Sequence, residues 1–330
     1  MNRLISAFIA LSVQRCYERA QMGLFRACAE IFSTEKHFSA PWVGHPGLNR
    51  LGLHGARIAL TDAALRLRRL QVRAQGAPPE LAELEAEGVV VIPNALPERQ
   101  FAAVREEARL LVTQAQARQP QPVQATTRGF GPKLPFVGGF DRFDGDTLNR
   151  FIDLSPETTP ELMACVRSER LERVCRAASG FNHQPHRFWL YLTVAGDEHR
   201  NPDPQRALHR DTFHSAIKLW LFLEDVEEAD GPFQYVARSH RMTAARYRWE
   251  LARAREAAAP GRGGGGSFRI DTQELAALDL EQPRSYPVPA NTLIVADVRG
   301  FHRRGPAKLG ATRLALYANL RTMPFSPVVY

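Results

Sequence analysis

The sequence predicts a mainly β protein with packed helices, its strands paired antiparallel, and an N-terminal helical extension. Three observations predict this. Apolar, β-branched runs at residues 88–93, 188–194, 217–223, 292–295 and 314–320 have the length and composition of buried strands. Long helices do not alternate with them, which argues against a doubly wound parallel sheet. Charge is also segregated along the chain. Residues 1–76 hold eleven Lys and Arg against four Asp and Glu, so +7 of the net +8 lies in the first quarter.

Composition narrows the class further. With 44% hydrophobic and 24% charged residues, a mainly disordered chain is excluded. The four cysteines form no CxxC pair, which fits a reducing compartment and supports neither a zinc ribbon nor a secreted disulfide scaffold. No run of 18 apolar residues is present, so no spanning helix is expected. The basic excess is too localised to suggest nucleic acid; it points to whatever the N-terminal segment touches.

In chain order, residues 1–33 read as one helix. Ile5, Ile9, Val13, Cys16, Ala20, Leu24, Ala27 and Ile31 form one stripe, with Arg15, Arg19 and Arg26 on another face. A signal peptide is the rival reading, but no small-x-small site follows the apolar stretch and the amphipathic pattern runs through the point of cleavage. Residues 37–54 read as a loop, residues 56–75 as a second basic helix, and residues 76–79 as a linker. Residues 1–76 are thus expected to form an extension and residues 77–330 the main domain. A helix at 79–87 precedes the strand 88–93, and another helix runs from Pro97 to about Ala117. Residues 118–148, rich in Gly, Pro and Gln, read mostly as loop. A basic helix at about 244–259 leads into Pro-Gly-Arg-Gly-Gly-Gly-Gly at 260–266. Glycines this dense cannot pack a core, so that segment is expected at the surface, as a lid near a site.

The chemistry centres on His209-Arg210-Asp211. On an extended chain residues i and i+2 share a face, so one imidazole and one carboxylate can grip the same metal ion. A second imidazole would complete the two-histidine, one-carboxylate set that suits Fe(II) oxygen chemistry. Alone the tripeptide is weak, since about 0.4 are expected by chance with ten histidines. Its surroundings strengthen it. An apolar strand follows at 217–223, then Asp230-Gly231-Pro232, then a strand from Asn291 with Phe301-His302 after it. Arg313 stands eleven residues beyond His302, where a guanidinium can clamp a carboxylate. His183-x-x-His186 has no third ligand at a matching spacing and reads as structural.

On these residues the chain resembles the phytanoyl-CoA dioxygenase family of Fe(II)/2-oxoglutarate oxygenases. The resemblance runs over about residues 80–325. It includes Glu87-Gly88-Val-Val-Val-Ile-Pro93, the His-x-Asp, the Asp-Gly-Pro turn ending in Ser239-His240, and the spacing from His302 to Arg313. It implies a double-stranded β-helix, or jelly roll of cupin type, with helices packed outside. His209, Asp211 and His302 would be the metal ligands, and Arg313 would hold the distal carboxylate of 2-oxoglutarate. Trp220 falls where the family has an aromatic residue against the cosubstrate. Lys218 shares its parity, and reads either as an inward lysine awaiting a carboxylate or as a snorkelling one. The cofactors implied are Fe(II), 2-oxoglutarate and O2. Two departures stand out: Ala237-Arg238 replaces the family's Pro-Gly, and Arg303-Arg304 follows His302, read as a sign of an anionic substrate or as solvated loop arginines.

The resemblance implies a hydroxylase of a small-molecule or lipid-like substrate, since halogenating relatives replace the carboxylate that Asp211 supplies here. Two other classes stay open: a membrane-docked, non-enzymatic jelly-roll module, and a non-redox metal enzyme of cupin type. The basic helices of residues 1–76 are expected to lie on an anionic membrane surface at the cytoplasmic leaflet, or else to pack on the barrel or a second subunit.

Overall fold

The computed structural model describes residues 23, 25–118, 129–182, 185–262, 264–320 and 323–329. The N-terminal stripe from Ile5 to Leu24, Arg15 and Arg19, and His183 lie outside these residues. The first elements are helices: α1 over residues 25–31, then α2 (Pro46–Arg50), α3 (Leu53–Ala74) and α4 (Glu80–Glu87). After them come β1 (Val89–Ile92), α5 (Glu98–Arg118), β2 (Leu134–Phe136), β3 (Gly139–Asp144), β4 (Thr147–Asp153), α6 (Pro160–Val166), α7 (Glu169–Ser179) and β5 (Phe188–Val194). The C-terminal half comprises β6 (His209–Arg210), β7 (Ile217–Phe222), β8 (Phe233–Tyr235), α8 (Ala244–Ala257), β9 (Phe268–Arg269), α9 (Thr272–Ala277), β10 (Arg284–Tyr286), β11 (Thr292–Asp297), β12 (His302–Arg304) and β13 (Thr312–Leu320).

The strands form two antiparallel sheets, one of eight strands in the order β1-β11-β7-β13-β5-β4-β3-β2 and one of five in the order β10-β8-β12-β6-β9. They face each other as a jelly roll. Alternation along the large sheet explains both of its faces. Leu219 and Leu221 of β7, with Leu314 and Leu316 of β13, point outward under Val104 and Leu111 of α5, Leu162 of α6 and Val174 of α7. Lys218, Trp220 and Phe222 point inward, and Phe222 packs with Phe233, Tyr235, Ile294 and Ala315. With both faces covered, the strands read as near-continuous apolar runs.

Three expectations are corrected. The expected loop at 118–148 holds strands in its described part, from residue 129 on: β2, β3 and β4 form two hairpins with two-residue connections, pairing Phe136 with Gly139 and Asp144 with Thr147. Gly145 sits at φ 59°, the left-handed region that such tight connections need. The expected loop at 37–54 contains the short helix α2, whose N-terminus is capped by His45. The second basic helix buries two arginines beside its apolar residues Ile58, Leu65 and Val72. Arg57 and Arg68 of α3 are buried, whereas Leu60, Leu67 and Leu70 are 49, 50 and 61% exposed. The cause is hydrogen bonding. Arg57 donates to the carbonyls of Ile31, Ser33 and Glu35 at 2.8, 3.1 and 2.6 Å and lies 4.2 Å over the Phe213 ring. Arg68 donates to the Pro324 and Ser326 carbonyls. These carbonyls offset part of the cost of burying each guanidinium.

Candidate metal centre

β6 and β12 are neighbours in the small sheet, and His209 stands directly opposite His302. Residues paired in this way hold their Cβ atoms about 4.5–5.5 Å apart, so both imidazoles leave the same face. Their ring centroids are 4.6 Å apart. Asp211 follows β6 on the parity of His209, and one donor atom from each of the three lies within 4.8 Å of the others. Among the described residues this is the one such group of His, Cys, Asp and Glu. Backbone carbonyls set the tautomers, because a carbonyl can only accept. His209 Nδ1 is 2.7 Å from the Ala207 carbonyl and His302 Nδ1 is 3.0 Å from that of Gly300, so both Nδ1 atoms carry the proton and both Nε2 atoms present lone pairs. His302 Nε2 is buried with no hydrogen-bond partner among the described residues.

Electrostatics prepares the same donors. Burial, with the neighbouring His209, pushes the His302 imidazole down to about 3, so it is neutral and able to ligate at neutral pH. Burial alone would raise the Asp211 carboxyl. The Lys218 ammonium, 2.5 Å from Oδ2, holds it instead well below the usual carboxylate range. Two imidazoles and an ionised carboxylate on one side of a cavity, one nitrogen bare and buried, fit a divalent transition metal with open positions.

The cavity beside the triad has a volume of about 280 Å³, and its walls include Lys218, Trp220, Tyr317, Arg269 and Arg313. Trp220 lies 4.9 Å from the Phe233 ring and 5.8 Å from Tyr317, which continues through Tyr191 to Phe151 as an aromatic wall. Arg313 has no hydrogen-bond or ion-pair partner among the described residues. Burial and the neighbouring Arg304 push it down to about 10. An anion at its guanidinium would relieve both effects. Arg304 itself is tied up by Asp203, by Asn149 at 2.7 Å and by Tyr191 at 3.3 Å, so it is neither solvated nor free for substrate. Arg303, on the opposite parity, donates to its cross-strand neighbour Gln234 at 2.7 Å.

Three features were not read from sequence. Arg210, between the two ligands, makes a bidentate bond to buried Glu250 of α8 (2.9 and 2.7 Å), which also accepts from Arg246 at 2.8 Å. An isolated arginine between two ligands carries no local signal of such a partner. Lys36 reaches the site from the N-terminal segment, donating to the Asp211 carbonyl at 2.6 Å. Arg238, at φ 63°, keeps the left-handed backbone that the family's glycine would favour. The Ser239 hydroxyl beside it accepts from the Phe301 amide at 2.7 Å and so braces the His302 strand.

A jelly roll that gathers two histidines and a carboxylate in this way defines the class of non-haem metal oxygenase folds. Within that class the chain belongs to the phytanoyl-CoA dioxygenase family, whose model matches residues 84–303, two thirds of the chain. Lys36 and Arg313 lie outside the matched span. No curated protein matches the chain. Similar solved structures include AviO1 from Streptomyces viridochromogenes, 16% identical over 74% of this chain and 93% of that one, with a TM-score of 0.43. HygX from Streptomyces hygroscopicus, solved with nickel and 2-oxoglutarate, is 14% identical over 74% and 86%, with a TM-score of 0.40. The 2-oxoglutarate-dependent epimerase SnoN of nogalamycin biosynthesis is 13% identical over 73% and 81%, also at 0.40. Likenesses this distant do not bear on activity.

Proposed function

We propose that the protein is an Fe(II)- and 2-oxoglutarate-dependent dioxygenase that hydroxylates a small-molecule or lipid-like substrate. The observation that carries this reading is the bare, buried His302 Nε2 facing His209 and Asp211 in a cavity that also holds the guanidinium of Arg313, which has no hydrogen-bond partner among the described residues. His209, Asp211 and His302 would hold the iron, which with 2-oxoglutarate and O2 supplies the oxidising power for C–H to C–OH conversion, releasing succinate and CO2. The protein's own part is positioning. The Ala207 and Gly300 carbonyls fix the imidazoles, Lys218 keeps Asp211 ionised, Arg313 clamps the distal carboxylate, and Trp220 closes the cosubstrate wall. Retention of the Asp211 carboxylate favours hydroxylation over halogenation, and the cationic and aromatic walls suit an anionic or amphipathic substrate.

Incubating the iron-loaded protein with 2-oxoglutarate, ¹⁸O2 and pools of acyl-CoA, lipid, glycan and natural-product candidates tests it. Succinate should form only with both iron and 2-oxoglutarate, and the product should carry one ¹⁸O. Turnover that needs neither would sink the reading, and a product with no added oxygen would move it to an epimerase-like reaction.

For residues 1–76 the outward leucines of α3, flanked by exposed Arg66 and Arg73, favour attachment to an anionic membrane surface as a second role. No described helix is long and apolar enough to cross a membrane. Flotation of the full chain with phosphatidylserine liposomes at low salt, lost at high salt, is the expected result; absence from the floating fraction at low salt contradicts it.

A further inference from the structure

The N-terminal segment makes contact with the metal centre itself. Lys36 Nζ lies 2.6 Å from the Asp211 carbonyl oxygen and 2.9 Å from the Ser267 hydroxyl, at the wall of the cavity. We propose that Lys36, outside the span shared with the family, is a positioning residue for the carboxylate ligand, tying the turn at Asp211 to the strand β9. This inference rests on the metal-centre reading above.

The need for such a tie follows from the local structure. β6 is two residues long, and Asp211 stands beyond its end. Its backbone is held by its own amide, which donates to the Val298 carbonyl at 2.9 Å, and by donors to its carbonyl, of which Lys36 is the nearer and Ser267 the farther at 3.3 Å. A ligand must be held within about 0.5 Å of its working position, and two residues of ladder cannot do that for a residue outside the ladder. The β9 side is gripped twice: Arg210 donates to the Gly266 carbonyl, and Lys36 to the next side chain, Ser267.

Lys36 is itself fixed. Its amide donates to the Glu35 carboxylate at 2.8 Å, and Arg57 holds the carbonyls of Ser33 and Glu35. The Phe38 amide donates to the Gly264 carbonyl at 3.0 Å, and Phe38 stacks on Phe268 with ring centroids 5.6 Å apart. Gly266 passes so close that a Cβ there would stand 2.1 Å from the Lys36 carbonyl oxygen. The strap therefore holds a defined position against the site.

The sign of the effect separates positioning from simple electrostatics. A cation near the centre repels a metal ion, so deleting a bystander lysine would tighten metal binding. Deleting a lysine that positions the ligand loosens it. Co(II) titration of the full chain, read by its visible d–d bands, uses wild type, Lys36→Met, Lys36→Arg and Asp211→Ala. Lys36→Met should weaken Co(II) binding about 10-fold or more, the range seen when outer-shell partners are removed, and Lys36→Arg should recover part of it. Ser267→Ala, which deletes the other anchor of the ammonium, should give a smaller loss in the same direction and serves if Lys36→Met does not fold. Co(II) affinity that is unchanged or tighter in Lys36→Met, or unchanged in Ser267→Ala where that variant stands in, overturns the inference while the triad stands. Wild type that binds no Co(II), or Asp211→Ala that binds as wild type does, overturns the metal-centre reading and this inference with it.

Discussion

Asp211 is asked to ligate through one oxygen while its other oxygen faces Lys218 at 2.5 Å, and its carbonyl accepts from Lys36. Asp211→Ala should abolish iron-dependent 2-oxoglutarate turnover, measured as succinate, and wild-type turnover in that variant would remove the triad assignment. Arg313→Ala should act differently. Truncating one partner of a buried charge pair costs about 2–5 kcal/mol, or roughly 30-fold and upward in 2-oxoglutarate affinity, with metal binding retained. Unchanged 2-oxoglutarate affinity would transfer the clamp to Lys218. That His209 and Asp211 share a face was legible because an i, i+2 pair on extended chain has one geometric outcome, and that His302 and Arg313 reach the same cavity because each falls beside an apolar strand. Lys36 was not legible: its contact spans 175 residues and no local pattern marks it.

Elements show a similar division. Long apolar runs such as β7 and β13 declare themselves by composition, whereas β6, β8, β9, β10 and β12 are two or three residues long and too short for any periodicity. The hairpins of β2, β3 and β4 were hidden by glycine. Asp144-Gly145-Asp146 is a turn signal between strands, and reading the glycine content as loop concealed it. The segment at 260–266 divides in two. Residues 260–262 and 265 are exposed, while Gly266 is buried against Lys36. Limited proteolysis of the free protein should cut within 260–265, and resistance there contradicts a surface lid. Gly266→Ala should cost about 1–3 kcal/mol in urea unfolding, because a backbone carbonyl cannot swing aside as a side chain can; a neutral result would mean that the strap yields at Lys36.

At the scale of the molecule, counting charge separated residues 1–76 from the rest but could not say which arginines face water. Arg57 faces backbone carbonyls of residues 31–35 and Arg68 those of residues 324 and 326, and Asp62 of α3 pairs with buried Arg299 near the end of β11, the polar contact that ties α3 to the barrel. Buried ionisable groups also set a pH dependence. Burial pushes His214 and His240 down to about 4 from an ordinary 6.5, so the unfolded chain takes up protons first on acidification. Their contribution is complete above about pH 6.5 and is lost as pH falls toward 4, on the order of 3 kcal/mol each for shifts of this size. Glu250 adds to the loss lower down. Burial alone would raise its carboxyl, but Arg210 and Arg246 hold it well below the usual range, so its contribution is present above the ordinary value and disappears as pH falls through the folded one. Urea midpoints of the metal-free protein should therefore drop steadily between pH 7 and 4.5; a flat profile over that window would contradict the buried, neutral state of these histidines.

The most direct test of the account is anaerobic calorimetric titration of Fe(II) and then 2-oxoglutarate into the full chain and into His302→Ala. The account predicts one Fe(II) per wild-type chain, 2-oxoglutarate bound tightly only once the metal is in place, and neither event at comparable affinity in the variant. Iron binding unchanged by the loss of His302, or 2-oxoglutarate bound equally well without metal, would contradict it.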